Sequence, residues 1–447
     1  MSSTMRALVL FACLSAAPVF SPALAEPLTG PAAFGDWRAD APGVERLIRP
    51  TDLPAPGATR PAASTARVVK PPEDVKPRAP EGFTVAPYAT GLGGARTVRV
   101  APNGDVFVAQ TSRGVVSVLR PGPDGTVAEI KTFATGLEAP FGLAFYPPGP
   151  DPQWLYVAST TLVQRIPYAK GELVARGKPE TVVSDLPDGG HSTRDVLFSR
   201  DGSRMLVSVG SASNVAEDMG PAPKNLAAFE AGRAVGAAWG EEEWRAAVLS
   251  FKPDGSDRRV FATGLRNCVS ITLAPGSDRL WCATNERDLQ GDDLPPDYAT
   301  EVKQGGFYGW PWFYLGANPD RRIPARPDLA DKVTTPDVLI QAHSAPLGIA
   351  FYEGAAFPPE YRGDAFVALH GSWNRAKRTG YKIVRLRFEG GKPTGAYQDF
   401  VTGFVLNDSS VWGRPVSVAT AADGALLFSE DGNGTLWRVG WGGAKGP

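Results

Sequence analysis

The chain has 447 residues, enough to bury a sizeable core, and its 46 basic and 47 acidic side chains leave a formal charge of −1. A balance this close to zero argues against a nucleic-acid partner and against electrostatic attachment to a membrane surface. With 50 Gly, 42 Pro, 21 Phe and 11 Trp, the composition points to a turn-rich, aromatic-rich all-β protein.

Residues 1–25, MSSTMRALVLFACLSAAPVFSPALA, place one Arg ahead of an apolar stretch and end on the small-x-small site Ala23-Leu24-Ala25. They read as a secretory signal peptide, so the mature protein is expected in the periplasm or outside the cell. A lipid-modified Cys13 is the weaker alternative, because few apolar residues precede it. No later stretch has the ~20 apolar residues of a membrane helix. Residues 26–82 are a Pro-rich N-terminal extension, an arm or wrapping segment without a core of its own.

From residue 83 one phrase keeps returning. It reads ATGLGGARTVRVAPNGDVFVAQ at 89, ATGLEAPFGLAFYPPGPDPQWLYVAS at 134 and VSDLPDGGHSTRDVLFSRDGSRMLVSVG at 183, with further copies at 262, 341 and 401. Each copy is a connector, a β-rich run, a Gly/Pro/Asp turn and a second β-rich run, which is a hairpin signature. Strand-like runs such as GVVSVLRP, AAVLSFKPDG and YKIVRLRF fill the intervals. Six units at intervals of ~45 to 80 residues predict a six-bladed β-propeller with four-stranded antiparallel blades over residues 83–447. Residues 229–244 are expected to be a short helix or a loop decoration. Cys268 and Cys282 could bridge neighbouring strands, but spacing leaves this open. No C-x-x-C-H sequence is present, so no c-type haem is attached.

In such a fold the connector into the innermost strand and the loop leaving the second strand share one face. The inbound ring then holds Arg96, Phe141, His191 with Arg194, Arg266 with Asn267, His343, and Trp412 with Arg414. The outbound ring holds Gln110, Thr160, Ser211, Asn285 to Asp288, His370 to Arg375, and Glu430. All three histidines and at least four arginines meet there, and polar groups converging in a concave site are the default active-site hypothesis. His343 is as well explained by packing as by substrate contact. Lys377-Arg378, Asp292-Asp293 and Glu241-Glu242-Glu243 read as solvated charges.

The stretches GGHSTRDVLF, FATGLRN followed by GGFYGWP, and HGSWNR followed by GYKIVRL make residues 80–440 resemble the quinoprotein glucose/sorbosone dehydrogenases, the last two being closest to the sorbosone branch. The resemblance implies a propeller enzyme using pyrroloquinoline quinone (PQQ) and Ca²⁺ to oxidise a sugar or related aldose, polyol or aldehyde. It implies His191 as the catalytic base, a role suited to an imidazole near neutral pKa. It implies cofactor binding by Arg266, Asn267, Arg414 and Arg96, whose guanidinium groups suit carboxylates and quinone oxygens. Arg194, His370 and Trp412 join that set, and Asn374, Arg375 or Lys377 stand in for a lysine of the family. The family's metal-binding Gly-Pro is absent; Glu286, Arg287 and Asp288 occupy its place and are the candidate calcium ligands, by backbone oxygen or carboxylate. Trp373 or Trp412 could stack on the quinone or sugar. Electrons would leave to an external cytochrome or quinone.

Two other functions remain open at this point. A calcium-dependent lactonase of the same architecture would need Glu, Asn and Asp around a metal; Glu286, Glu430 and Asn285 keep it open. A non-catalytic propeller binding a glycan or protein is compatible with the fold, because propellers host many functions.

Overall fold

The repeated hairpins form antiparallel sheets, joined by few and short helices. The computed structural model describes residues 26–443; the signal-peptide reading of residues 1–25 lies outside them. Six sheets carry the architecture. The first runs Ala95–Val100, Val106–Gln110, Val115–Pro121 and Val127–Ala134, and the second runs from Gly142–Tyr146 to Glu180–Val183. The third begins at Val196–Phe198, the fourth at Cys268–Leu273, the fifth at Pro346–Phe351 and the sixth at Pro415–Thr420. Two small sheets lie outside this set, at Phe313–Tyr314 with Asn318–Pro319 and around Val405–Asn407.

Each sheet's first strand lies beside the first strand of the next, and the sixth returns to the first, so the sheets close a ring. Hydrogen bonds stitch these inner strands together. The Val98 amide donates to Ser417 Oγ at 3.1 Å, and Gly142 N donates to the Arg194 carbonyl at 2.9 Å. Buried Asp195 accepts from the Ile271 amide, Ser270 Oγ and Arg99, all within 3.0 Å. Second strands such as Val106–Gln110, Met205–Val209 and Leu280–Thr284 are buried along their whole length, because a neighbouring sheet covers each face. Aromatic clusters fill the spaces between sheets, including Trp281 with Phe351 and Phe388.

The ring is completed by a strand from early in the chain. Phe83–Ala89 pairs antiparallel with Thr435–Trp441 as the outermost strand of the sixth sheet. Cys268 and Cys282, on adjacent strands of the fourth sheet, are disulfide-bonded.

Residues 26–82 lie along the fourth to sixth sheets. Glu45–Arg46 adds a strand to the fifth sheet, and Arg67–Val68 pairs parallel with Ser410–Val411. Beneath the first of these contacts Arg46 is fully buried, with Nη1 2.9 Å from Asp399 and Nη2 2.9 Å from Asp40. Buried Lys382 Nζ lies 2.7 Å from both carboxylates. Arg378, expected as a surface charge, is instead buried: it donates to the carbonyls of Ser372, Asp408 and Ser64, so the extension covers it. Its neighbour Lys377 is exposed.

Candidate functional site

The segment carrying His191 is shaped by two buried arginines. Arg194 Nη1 donates to the carbonyls of His191 and Thr193 at 2.6 and 2.8 Å, and its Nη2 to Pro187 at 2.6 Å. Arg245 donates to the carbonyls of Asp188, Gly189 and Gly210. Gly190 has φ 59°, and a Cβ there would stand 2.2 Å from the Ala212 carbonyl oxygen, so the turn ahead of His191 admits only glycine. The facing loop is held by buried Glu242, which accepts from the amides of Ala212 (2.8 Å) and Ser213 (3.0 Å) and from Ser213 Oγ (2.8 Å).

The His191 ring is thereby fixed. Its Nδ1 lies 2.8 Å from the Ser211 carbonyl, which can only accept, so Nδ1 carries the proton in the neutral ring and Nε2 keeps its lone pair. Burial, helped by the nearby Arg266 charge, pushes the imidazole pKa down to about 4. At neutral pH the ring is an unprotonated base with an oriented acceptor nitrogen.

Arg266 leaves the third sheet beside it. Its Nε donates to the Asn214 carbonyl (3.2 Å), Nη2 to Asn214 Oδ1 (3.1 Å) and Nη1 to the Glu286 carbonyl (2.7 Å). Among the described residues no carboxylate lies within ion-pair distance of it. Asn267 is buried next to Gly210 and His191, and among the described residues its Oδ1 has no hydrogen-bond partner.

Across the mouth, Asp431 gathers three cationic or ionisable groups. Arg96 Nη1 lies 2.8 Å away, Arg414 Nε 3.0 Å and His370 Nε2 3.0 Å. Burial alone would raise the Asp431 carboxyl, but His370, Arg96 and Arg414 outweigh it and hold the group well below the usual carboxylate range. Burial lowers His370 despite Asp431, so the cluster carries two arginines against one carboxylate. Arg96 also lies over the Phe141 ring. A cavity of about 450 Å³ opens here, lined by Arg96, Phe141, Thr160, Thr193, Arg414 and Asp431. The surplus of positive charge, with unpartnered buried polar atoms, fits a flat polyanionic ligand.

The remaining predicted residues separate into other roles. Arg194 is spent through both Nη atoms on the loop carbonyls named above, so it positions His191. Trp412 is 1% exposed, bonded to the Gly403 carbonyl and packed on Phe404 and Trp437; it belongs to the core. Asn374 accepts from the Leu289 amide and donates to the Ala62 carbonyl, while Arg375 pairs with Asp293 and donates to the Phe34 carbonyl. Both are covered by the N-terminal extension rather than turned to the cavity. Trp373 is exposed at 47%. His343 is tied to the Gly291 carbonyl (2.9 Å) and to Asp288 (3.4 Å). Glu430 folds onto the amides of Asn433 and Thr435.

The proposed metal residues diverge as well. The Arg287 side chain turns to Asp320, 3.1 Å away, and offers no ligand oxygen. Asp288 is engaged by His343. The Glu286 carboxyl is buried without an ion-pair partner, and burial, only partly offset by Arg266, pushes it up to about 7. Asn285 Oδ1, one residue before it, is buried and unpartnered. Among the described residues no three His, Cys, Asp or Glu side chains gather closely enough to hold a metal ion by themselves. The oxygen donors available are the side-chain amide of Asn285 and the carboxylate of Glu286, since Arg266 Nη1 already occupies the Glu286 carbonyl at 2.7 Å; these two hard donors suit an oxygen-seeking cation.

Sequence reasoning passed over Asp431, Arg245 and Asn214, and read Glu242 as solvated. Asp431 directly follows Glu430, and the position of the strand end alone does not tell which of the two acids turns to the mouth. Glu242 lay inside a Glu triplet that reads as a solvated face, yet it is 1% exposed.

The TrAA12-like family model matches residues 77–294 and 327–441. A curated relative, the pyrroloquinoline quinone-dependent pyranose dehydrogenase of Coprinopsis cinerea, is 25% identical over 413 residues, 80% of this chain; the match spans only 54% of that relative's length. The holo PQQ domain of a Coprinopsis cinerea pyranose dehydrogenase superposes with TM-score 0.66 at 22% identity, covering 83% of this chain and 98% of that one. The calcium structure of the Trichoderma reesei family AA12 protein gives TM-score 0.67 at 21% identity, covering 84% and 98%. These structural likenesses establish the propeller fold.

Proposed function

The chain belongs to the TrAA12-like family, and on that premise we propose that it is a PQQ-dependent sugar dehydrogenase on a six-bladed propeller, with Ca²⁺ as second cofactor. The observation that carries this reading is the neutral, oriented His191 beside arginines whose charge is not balanced by carboxylates. Arg266, Asn267, Arg96 and Arg414 would hold the anionic cofactor, and His370 braces Asp431 behind the last two. The chemistry this cofactor supplies when bound is acceptance of the two electrons released at the sugar carbon. Asn285 and Glu286 would hold the calcium, which supplies a fixed positive charge at the same place.

His191 Nε2 accepts the proton of the sugar hydroxyl as the carbon is oxidised. The Nδ1–H bond to Ser211 keeps the ring in the tautomer this transfer requires and disperses the imidazolium charge that forms. Arg194, Arg245 and Glu242 hold the two loops so that the imidazole does not swing away. The proton then leaves to solvent through the open mouth.

The resemblance to the sorbosone branch supports an aldose, polyol or sorbosone-like aldehyde as substrate, and an external cytochrome or quinone as acceptor. The first 25 residues support export to the periplasm or beyond, the segment 26–82 serving as an N-terminal extension. Among the described residues no helix is long and apolar enough to cross a membrane. A lactonase would need acidic and amide side chains around a central metal, where this mouth presents arginines. Dye-linked reduction by the purified protein, with and without PQQ and Ca²⁺, across aldoses, polyols and sorbosone tests the assignment. Turnover that requires both additions is expected; PQQ lost on desalting would overturn the reading.

A further inference from the structure

A second cavity, about 560 Å³, lies beside the loop that joins the second and third strands of the fourth sheet. Its walls are that loop, the hairpin around Phe313–Tyr314 and Asn318–Pro319, and Ala55 to Gly57 of the N-terminal segment. The Gly57 amide donates to the Gln290 carbonyl at 2.8 Å, which seats the segment as the third wall. The cavity is therefore built from three separate parts of the chain.

Its lining is incompletely satisfied. The Arg287 side chain is 3% exposed, and among the described residues its Nε and Nη2 are buried without a hydrogen-bond partner. Asp320 stands 3.1 Å from Nε as a charge neighbour, but Arg321 and Arg322 on the same wall leave the pocket with two positive charges in excess. Gln290 is 6% exposed and its Oε1 also lacks a partner. Tyr314 contributes an aromatic wall. Buried donors of this kind are costly unless a ligand meets them, and arginine is matched to a carboxylate by its planar fork.

We propose that this pocket binds the carboxylate-bearing ring of an acidic sugar, a uronic acid unit. Arg287 meets the carboxylate in two hydrogen bonds, Gln290 Oε1 accepts from a ring hydroxyl, and Tyr314 covers the apolar face of the ring. Arg321 and Arg322, exposed at the rim, draw the anion in. The acidic sugar follows from the pocket's own lining. Its use as a recognition site for an acidic saccharide rests on the sugar reading above.

Calorimetric titration of the full mature protein with D-glucuronate, D-glucose and sulfate, without PQQ or substrate turnover, separates this idea from the enzyme assignment. Glucuronate is expected to bind at least ten-fold more tightly than glucose, with affinity falling as salt rises. Arg287→Gln should weaken glucuronate ten-fold or more and leave the weak glucose binding in place. Should Arg287→Gln lose its fold by circular dichroism, Gln290→Leu and the rim pair Arg321→Ala/Arg322→Ala carry the test, each with a loss of three-fold or more. Equal binding of glucose and glucuronate, or no glucuronate binding, overturns the proposal. Sulfate matching glucuronate overturns it too, leaving a site for free inorganic anions.

Discussion

The charge cluster under the N-terminal segment and the one at the mouth are built differently. Under the N-terminal segment, Arg46 and Lys382 face Asp40 and Asp399: two cations, two carboxylates, and four contacts of 2.7–2.9 Å. At the mouth, Arg96 and Arg414 share the single carboxylate of Asp431, while among the described residues Arg266 has no carboxylate within ion-pair distance and Asn267 Oδ1 has no hydrogen-bond partner. The first cluster balances its charges, two cations against two carboxylates, and fastens the extension to the fifth sheet. The second is open, and its imbalance makes sense only with an anion present. Burial alone distinguishes neither; the ratio of partners does.

The largest effect should come from opening the closed cluster. Asp399→Ala leaves Arg46 and Lys382 facing one carboxylate, and breaking a buried ion pair in this way costs about 3–5 kcal/mol. Denaturant unfolding should show it, and a loss below about 1 kcal/mol would mean that the cluster does not hold the segment. At the mouth, His191→Ala should lower turnover by about 10²–10⁴ while PQQ still binds, because only the proton acceptor is removed. Unchanged turnover would end its role as base. Arg266→Ala should act on the other quantity, weakening PQQ by ~10- to 100-fold, as expected for charge-assisted hydrogen bonds; an unaltered dissociation constant would remove Arg266 from the cofactor set.

The smallest effect is one of pH. The folded protein keeps His191 neutral down to about pH 4, whereas the unfolded chain takes up that proton near the ordinary value of 6.5. The unfolded state thus binds more protons in this window, and this histidine lowers stability as pH falls from 6.5 to 4. Relative to wild type, His191→Gln should resist acid better across that interval, read as the difference in melting temperature. A difference that does not change with pH would show that burial and the Arg266 charge do not depress the imidazole.

Much of the architecture was legible because the hairpin phrase repeats: a connector, a strand, a Gly/Pro/Asp turn and a second strand are local features. The sharp turn at Gly189-Gly190 was legible for the same reason. Partners contributed by distant segments were not. Trp412 followed the right connector but packs inward on Phe404, since an aromatic at a strand start serves the core as readily as a ligand. Arg375 and Asn374 are claimed by Phe34 and Ala62, over three hundred positions earlier in the chain. Glu242 looked solvated within its triplet, and only the fold brings Ala212 and Ser213 to it. Pattern locates the mouth, whereas the question of which side chains remain free there is decided by contacts that no local pattern encodes.

The outermost strand of the sixth sheet has a temporal consequence. Because Phe83–Ala89 finds its hydrogen-bonding partner in Thr435–Trp441, an emerging chain can assemble five sheets while the first of these strands waits with an unpaired edge. Until the last strand arrives the circle has a gap, and Asp431, which emerges just before that strand, has not yet reached Arg96. The Asp431 cluster thus comes into being only with the final turn of the chain, after the His191 and Arg266 side of the mouth is already in place.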